Sequence, residues 1–273
     1  KEELVELLNE IILKKPELKP LVKIERKEIV SKIRSLLSDF VDWDKVSDLI
    51  SQLETILEGI KRNKSSWDRE LLNEMETCSK IMIDGQEHVH DEGDLGLFLE
   101  DWFLLYGEIF SSLKPSKQEK QEFLQKIMEL IQEDEYGLDS SFEKAFFGMC
   151  ASKEDIELIK EYYKPSENNE TEDSESYTDF YLELYDKLGM DEEYISIAKT
   201  EELSSNLIDK LISMGHLEEA LAECKEYKAK DSSWSVDDKR LEILKKLGRN
   251  GEFKKLLLGM IKKEGDINDT LRL

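Results

Sequence analysis

Apolar residues recur at helical spacing along most of the 273-residue chain. Leu4, Leu7, Leu8, Ile11 and Ile12 form one stripe. Ile29, Ile33, Leu36, Leu37 and Phe40 form a second, and Val46, Leu49, Ile50, Leu53, Ile56, Leu57 and Ile60 a third. Each keeps the i, i+3, i+4, i+7 rule of an amphipathic helix. No run of alternating β-branched residues competes with it. Polar breakers cut the pattern into helices of roughly 10–20 residues. Lys14-Lys15-Pro16 ends the first, and Asp42-Trp43-Asp44 separates the second from the third. Asn63 to Ser66 opens a fourth, with Ser66 placed as its N-cap and Arg69-Glu70 in its first turn. Asp94 is placed to cap a helix running through Phe98, Trp102 and Leu105 to Leu113. Ser116 with Glu119 makes a capping box, and Ser152 with Asp155 a weaker one. Trp67 and Trp234 each follow a Ser-Ser pair and fit hydrophobic staples.

One stretch breaks the pattern. Ser166 to Thr178 carries five acidic residues, no basic ones and a single aromatic. Such a composition buries too little apolar surface to offset its ordering entropy and reads as a solvated linker. The chain then divides into an N-terminal helical array over 1–164, an acidic linker over 165–176 and a second helical region over 177–273. The fold class is all-α, built of antiparallel helix hairpins.

Beyond the linker, three segments share a frame. Leu184 to Tyr194, Leu207 to Ala220 and Leu241 to Phe253 each run an apolar helix into a glycine. Two polar or small residues follow, then an acidic helix start. The glycines are Gly189, Gly215 and Gly248, spaced 26 and 33 residues apart. A glycine there can take the left-handed conformation that closes a helix. Carboxylates then sit at the positive end of the next helix. Hairpins of this kind stack into an α-solenoid, because none buries its apolar face alone. The frame resembles the tetratricopeptide repeat, although that family's Trp and closing Pro are missing. The resemblance implies a right-handed superhelix.

The order of features over most of the chain resembles a second family. A KKPEL break at Lys14 to Leu18 precedes the helix pair around Asp42-Trp43. Asp91-Glu92-Gly93-Asp94 then leads into the helix of Trp102, and FLQKIMEL follows at Phe123 to Leu130. This order is similar to the helical region C-terminal to the zinc finger of prokaryotic SWIM zinc-finger proteins. The resemblance implies a CxC…CxH zinc module upstream and a role near nucleic acid through that module. The module's signature is absent here, so no metal ligand carries over. The chain starts at Lys1 directly in helical pattern, which reads as an excised part of a longer protein.

Composition narrows the function classes. No uninterrupted apolar run approaches the ~20 residues of a membrane helix, so no membrane partner is expected. Cys78, Cys150 and Cys224 are widely spaced without CxxC pairs, and read as core residues of a reducing, cytoplasmic compartment. No phosphate loop, nucleophile elbow or HExxH helix is present, so no enzymatic role and no cofactor is expected. The aromatic helix of Phe98, Trp102, Phe103, Tyr106 and Phe110 reads as core, as do Phe142, Phe146, Phe147, Tyr162 and Tyr163.

The one cluster with chemical promise is Glu87 to Asp94. His88 and His90 offer imidazoles, and Asp91 and Asp94 oxygens, a set suited to Zn²⁺ or Mn²⁺ and to a metal-dependent hydrolase. His-x-His on a helix points about 200° apart, so both reach one ion only on extended backbone. The plainer reading is an acidic capping segment before the next helix, which leaves no metal site.

The net charge of −24 is unevenly laid out. Residues 1–64 carry 13 basic and 13 acidic side chains, and residues 239–273 carry 10 and 5. The middle, 65–238, holds 16 basic and 45 acidic. A surface this acidic opposes direct nucleic-acid binding and favours a basic protein or peptide partner. The expectation is a non-catalytic interaction scaffold. The alternative is an accessory region in which Lys254-Lys255 and Lys262-Lys263 touch phosphate beside the absent finger.

Overall fold

The computed structural model describes residues 28–91, 93–164, 172–230 and 234–263. The expected first helix at Lys1–Lys14 and its break lie outside them. Among the described residues the fold is all-helical, with thirteen α-helices and no strand. The chain divides into two compact units, 1–164 and 165–273.

The first unit holds α1 (Ile29–Leu36), α2 (Trp43–Arg62), α3 (Arg69–Asp84), α4 (Asp94–Ser112), α5 (Lys117–Gln132), α6 (Asp139–Met149) and α7 (Lys153–Tyr162). Its centre is the pairing of α4 with α6. Ser141 Oγ donates to the Gly96 carbonyl at 3.1 Å near the start of both helices. Farther along, Gly107 lies against Ala145, Gly148 and Met149. The two helices therefore run in the same direction, and α5 carries the chain back between them. At Gly107 the backbones touch. A Cβ added there would stand 2.2 Å from the Ala145 carbonyl oxygen, and one on Gly148 2.2 Å from that of Leu104. Only glycine on both sides permits this approach.

The approach brings the aromatic stripe inside. Trp102 and Phe103 are fully buried. Phe103 meets Phe142 edge-on at 5.0 Å, and Phe110 stacks on Phe123 of α5 at 4.2 Å. Burying an indole N–H requires an acceptor. Trp102 Nε1 donates to Ser79 Oγ at 2.9 Å, and the Ser79 hydroxyl donates in turn to the Met75 carbonyl at 2.9 Å. That chain ties α4 to α3. Buried Asp155 accepts from Lys120 Nζ at 2.5 Å and from the Ala151 N–H at 3.1 Å, which joins α5 to the start of α7.

Local signals resolve unevenly. The Ser116–Glu119 capping box forms in full. Ser66 does not cap α3: its hydroxyl donates to the Asn63 carbonyl, and Asp68 Oδ1 accepts from the Leu71 N–H at 2.9 Å instead. Trp67 is turned the other way from a staple and donates Nε1–H to the Ile60 carbonyl, closing α2. Phe40 does not continue the stripe of α1. The helix stops at Leu36, and Phe40 is 61% exposed. Helix α8 (Glu172–Lys187) begins within the stretch expected as linker, 165–176. A run of carboxylates that suits solvent also suits the positive end of a helix.

The second unit continues with α9 (Asp191–Thr200), α10 (Ser204–Ser213), α11 (Leu217–Lys230), α12 (Trp234–Lys246) and α13 (Asn250–Lys263). Each helix packs chiefly on the ones before and after it in the chain. Leu182, Ala198, Ile208, Leu211, Cys224 and Ile243 belong to one core that runs through α8 to α12.

Alanine at Gly107 or Gly148 should part α4 from α6. Either variant should lose about 3 kcal/mol or more of first-unit stability. Denaturant unfolding followed by near-ultraviolet circular dichroism of the buried aromatics would show the loss.

Candidate functional site

The turns of the second unit share one geometry. Gly189, Gly215 and Gly248 have φ of 66°, 78° and 67°, in the left-handed region. The N–H after each glycine reaches back five residues at 2.9 Å: Met190 to Tyr185, His216 to Leu211, and Arg249 to Leu244. The glycine N–H closes the inner bond of the same motif. The residue after the glycine is then the N-cap of the next helix, so each turn spends three residues. A fourth turn is the same without glycine. Glu202 takes φ 55°, and the Leu203 N–H reaches the Ala198 carbonyl at 2.8 Å. It stands midway between Gly189 and Gly215, and so accounts for the 26-residue gap. His216 serves as backbone N-cap of α11, its carbonyl accepting from the Ala220 N–H.

These turns gather α8, α9 and α10 around a cleft of about 480 Å³. Asp179, Glu183 and Asp186 of α8 and Asp209 of α10 line it, with Tyr194 and Lys210. Lys210 is 8% exposed and carries the load of the assembly. Its ammonium meets Asp186 at 2.5 Å and Asp191 at 2.6 Å, and lies 5.1 Å from the centre of the Tyr194 ring. One cation thus joins three helices. Burial pulls its pKa down, but the hydrogen bonds and charges of Asp186 and Asp191 outweigh that and hold it above the ordinary lysine value. A raised lysine pKa gives stability that is complete below the unfolded value and lost only as pH rises through the folded one. The pairing therefore holds throughout neutral pH. Asp209 is met from α12 by Lys239 at 2.7 Å, and Asp179 accepts from Asn206 at 2.9 Å. Asp179 and Glu183 leave the mouth of the cleft negative.

The Glu87–Asp94 cluster lies in the first unit, where Asp91 and His90 make local contacts. Gly85–His88 forms a short 3₁₀ turn. The Val41 N–H donates to the His88 carbonyl at 2.8 Å and the His90 N–H to the Val41 carbonyl at 3.0 Å, making an isolated parallel bridge of Val41 with Val89. Asp91 Oδ2 accepts from the Leu95 N–H at 2.7 Å and so caps α4. Asp94 is the first helical residue rather than the cap, since Gly93 takes that place at φ 106°. His90 packs over Trp43, ring centres 4.4 Å apart, with its Nδ1 3.9 Å from Asp42. Among the described residues no group of three or more His, Cys, Asp or Glu side chains is arranged to hold an ion. The structure thus brings His90 to Trp43, Phe40 and Asp42.

Cys78, Cys150 and Cys224 are all buried. Burial pushes the Cys78 thiol up to about 12 and the Cys224 thiol to about 11, which favours the protonated thiol at neutral pH. Among the described residues no helix is long and apolar enough to cross a membrane. No protein-family model, no curated protein and no solved structure matches the chain.

Two substitutions test the scaffold of the cleft. Glu202→Gly should stabilise the second unit by about 1 kcal/mol, and Gly215→Ala should destabilise it by about as much, read as opposite shifts of the urea midpoint. Lys210→Met should destabilise it by about 1–2 kcal/mol in the same assay, because two half-exposed carboxylates are left facing each other.

Proposed function

We propose that the chain is a non-catalytic protein-interaction scaffold whose second unit binds a basic segment of a partner protein. The observation that carries the reading is the cleft between α8, α9 and α10. Its mouth is negative through Asp179 and Glu183, and its internal cation is already committed to two carboxylates. A basic chain entering it meets the carboxylates of Glu183 and of Asp179, the latter engaged by the neutral amide of Asn206. The wider excess of carboxylates over residues 65–238 steers such a partner at range.

The three-residue turns and the continuous core from α8 onward support the finer reading of an α-solenoid of tetratricopeptide-like hairpins. In that reading α8 with α9, α10 with α11, and α12 with α13 are the repeats, and Tyr194, Ala220 and Phe253, each five residues after the turn glycine, are the matching early residues of the second helices. The order of sequence features supports a place beside a SWIM-type zinc finger in a larger protein. Direct phosphate binding by this chain finds less support. Lys225 and Lys255 share their groove with Asp237 and Glu252.

The test uses a fluorescent nine-residue lysine–glycine peptide and the full chain at low salt. The double variant Asp179→Asn, Glu183→Gln should bind it about tenfold more weakly, with no change in melting temperature. A control pair on α5, Glu122→Gln with Glu129→Gln, should bind as the unaltered chain does. Equal affinity of both double variants contradicts the reading.

A further inference from the structure

The first unit carries a patch that its fold does not use. Phe40 is 61% exposed and Trp43 47%, while most other aromatics of this unit are buried. The bridge explains why they face outward. Val41 and Val89 turn into the core at 9% exposure each, and side chains alternate along extended backbone. Phe40 and Asp42, on either side of Val41, must then point away from it, as must His90 after Val89. The three rings converge there. His90 lies 4.4 Å from Trp43 and 6.3 Å from Phe40, centre to centre. Asp42 stands at their edge, 63% exposed, its Oδ1 taken by the Trp43 N–H and 3.9 Å from His90 Nδ1. The chain places Asp39, Asp42 and Asp44 around the two aromatics and Asp91 after His90, with no lysine or arginine in 39–44 or 87–91.

We propose that this patch receives an arginine side chain of a protein partner. Three features select that occupant. Tilted, exposed aromatic faces attract a cation through their quadrupoles, tryptophan most strongly. A guanidinium is planar and weakly hydrated, so it stacks on such a face while forking to a carboxylate at the edge, which an ammonium cannot do. Asp39, Asp42, Asp44 and Asp91 outnumber the adjoining Lys45, so the local charge disfavours an acidic or phosphorylated segment. The patch is separate from the cleft of the second unit and stands whether or not that cleft binds.

The test reads the site itself. In the full chain labelled with ¹⁵N, the indole cross-peak of Trp43 is assigned by its loss in Trp43→Phe. A nine-residue arginine–glycine peptide should move that peak saturably while the buried Trp102 indole stays fixed. A lysine–glycine peptide of equal charge should need about fivefold higher concentration. Asp42→Asn, which keeps the helix cap, should weaken the arginine peptide about fivefold, and Phe40→Ala should weaken it similarly. The Asp179→Asn, Glu183→Gln variant should leave the Trp43 titration unchanged, so the two sites fail separately. An unmoved Trp43 peak, or equal response to both peptides, overturns the proposal. So does a Trp43→Ala chain that melts several degrees lower while the unaltered chain binds neither peptide, because the patch is then covered by this protein itself.

Discussion

The first unit depends on one contact in which no side chain takes part. Gly107 and Gly148 bring the backbones of α4 and α6 together, and a methyl group on either would stand 2.2 Å from a carbonyl oxygen of the other helix. Two parallel helices this close present a single aromatic surface, Trp102 and Phe103 from one and Phe142 and Phe146 from the other, which α3 and α5 cover. The Trp102–Ser79 hydrogen bond sets α3 on that surface. The end of α3 in turn delivers Val89 to Val41. The exposed rings of Phe40 and Trp43 are thus placed by a packing decision made far from them in the chain.

The second unit is held by repetition of a local device. Its four described three-residue turns use the same pair of backbone hydrogen bonds, and each hands one helix directly to the next. Such a unit needs few long-range contacts, because every helix finds its apolar partner in its chain neighbour. Polar ties also skip a helix, as Asn206 of α10 does to Asp179 of α8 and Lys239 of α12 to Asp209 of α10, and Lys210 gathers carboxylates from α8 and α9 onto α10. That cross-tie spaces the helices, and the acidic cleft is the space it leaves.

Much of this is legible in the sequence and the rest fails for identifiable reasons. Helix type and most helix positions follow from apolar periodicity, and all five rings of the stripe from Phe98 to Phe110 are core as read, whereas Phe147 and Tyr162, read the same way, are only half-buried. The turn glycines are visible because glycine is the usual left-handed residue. Glu202 is invisible for the same reason: nothing in its side chain announces φ 55°. Gly107 and Gly148 look like weak points of two helices until the partner backbone is known. Phe40 fits the stripe of α1 by spacing, and only the bridge to Val89, distant in sequence, turns it outward. The His88–Asp94 cluster attracts notice by composition, yet Asp91 is a cap and His90 an aromatic neighbour. The cleft has no sequence signature, since acidic residues are common everywhere in 65–238 and only the fold says which of them face one another.

The claim that the cleft of α8, α9 and α10 is the binding face is tested most directly by hydrogen exchange on the full chain. Backbone amides would be followed with and without a saturating lysine–glycine peptide at low salt. The account predicts slowed exchange concentrated in α8 and α10, where Asp179, Glu183 and Asp209 reside. Slowing confined to α12 and α13, or absent from α8 and α10 at saturation, would contradict it.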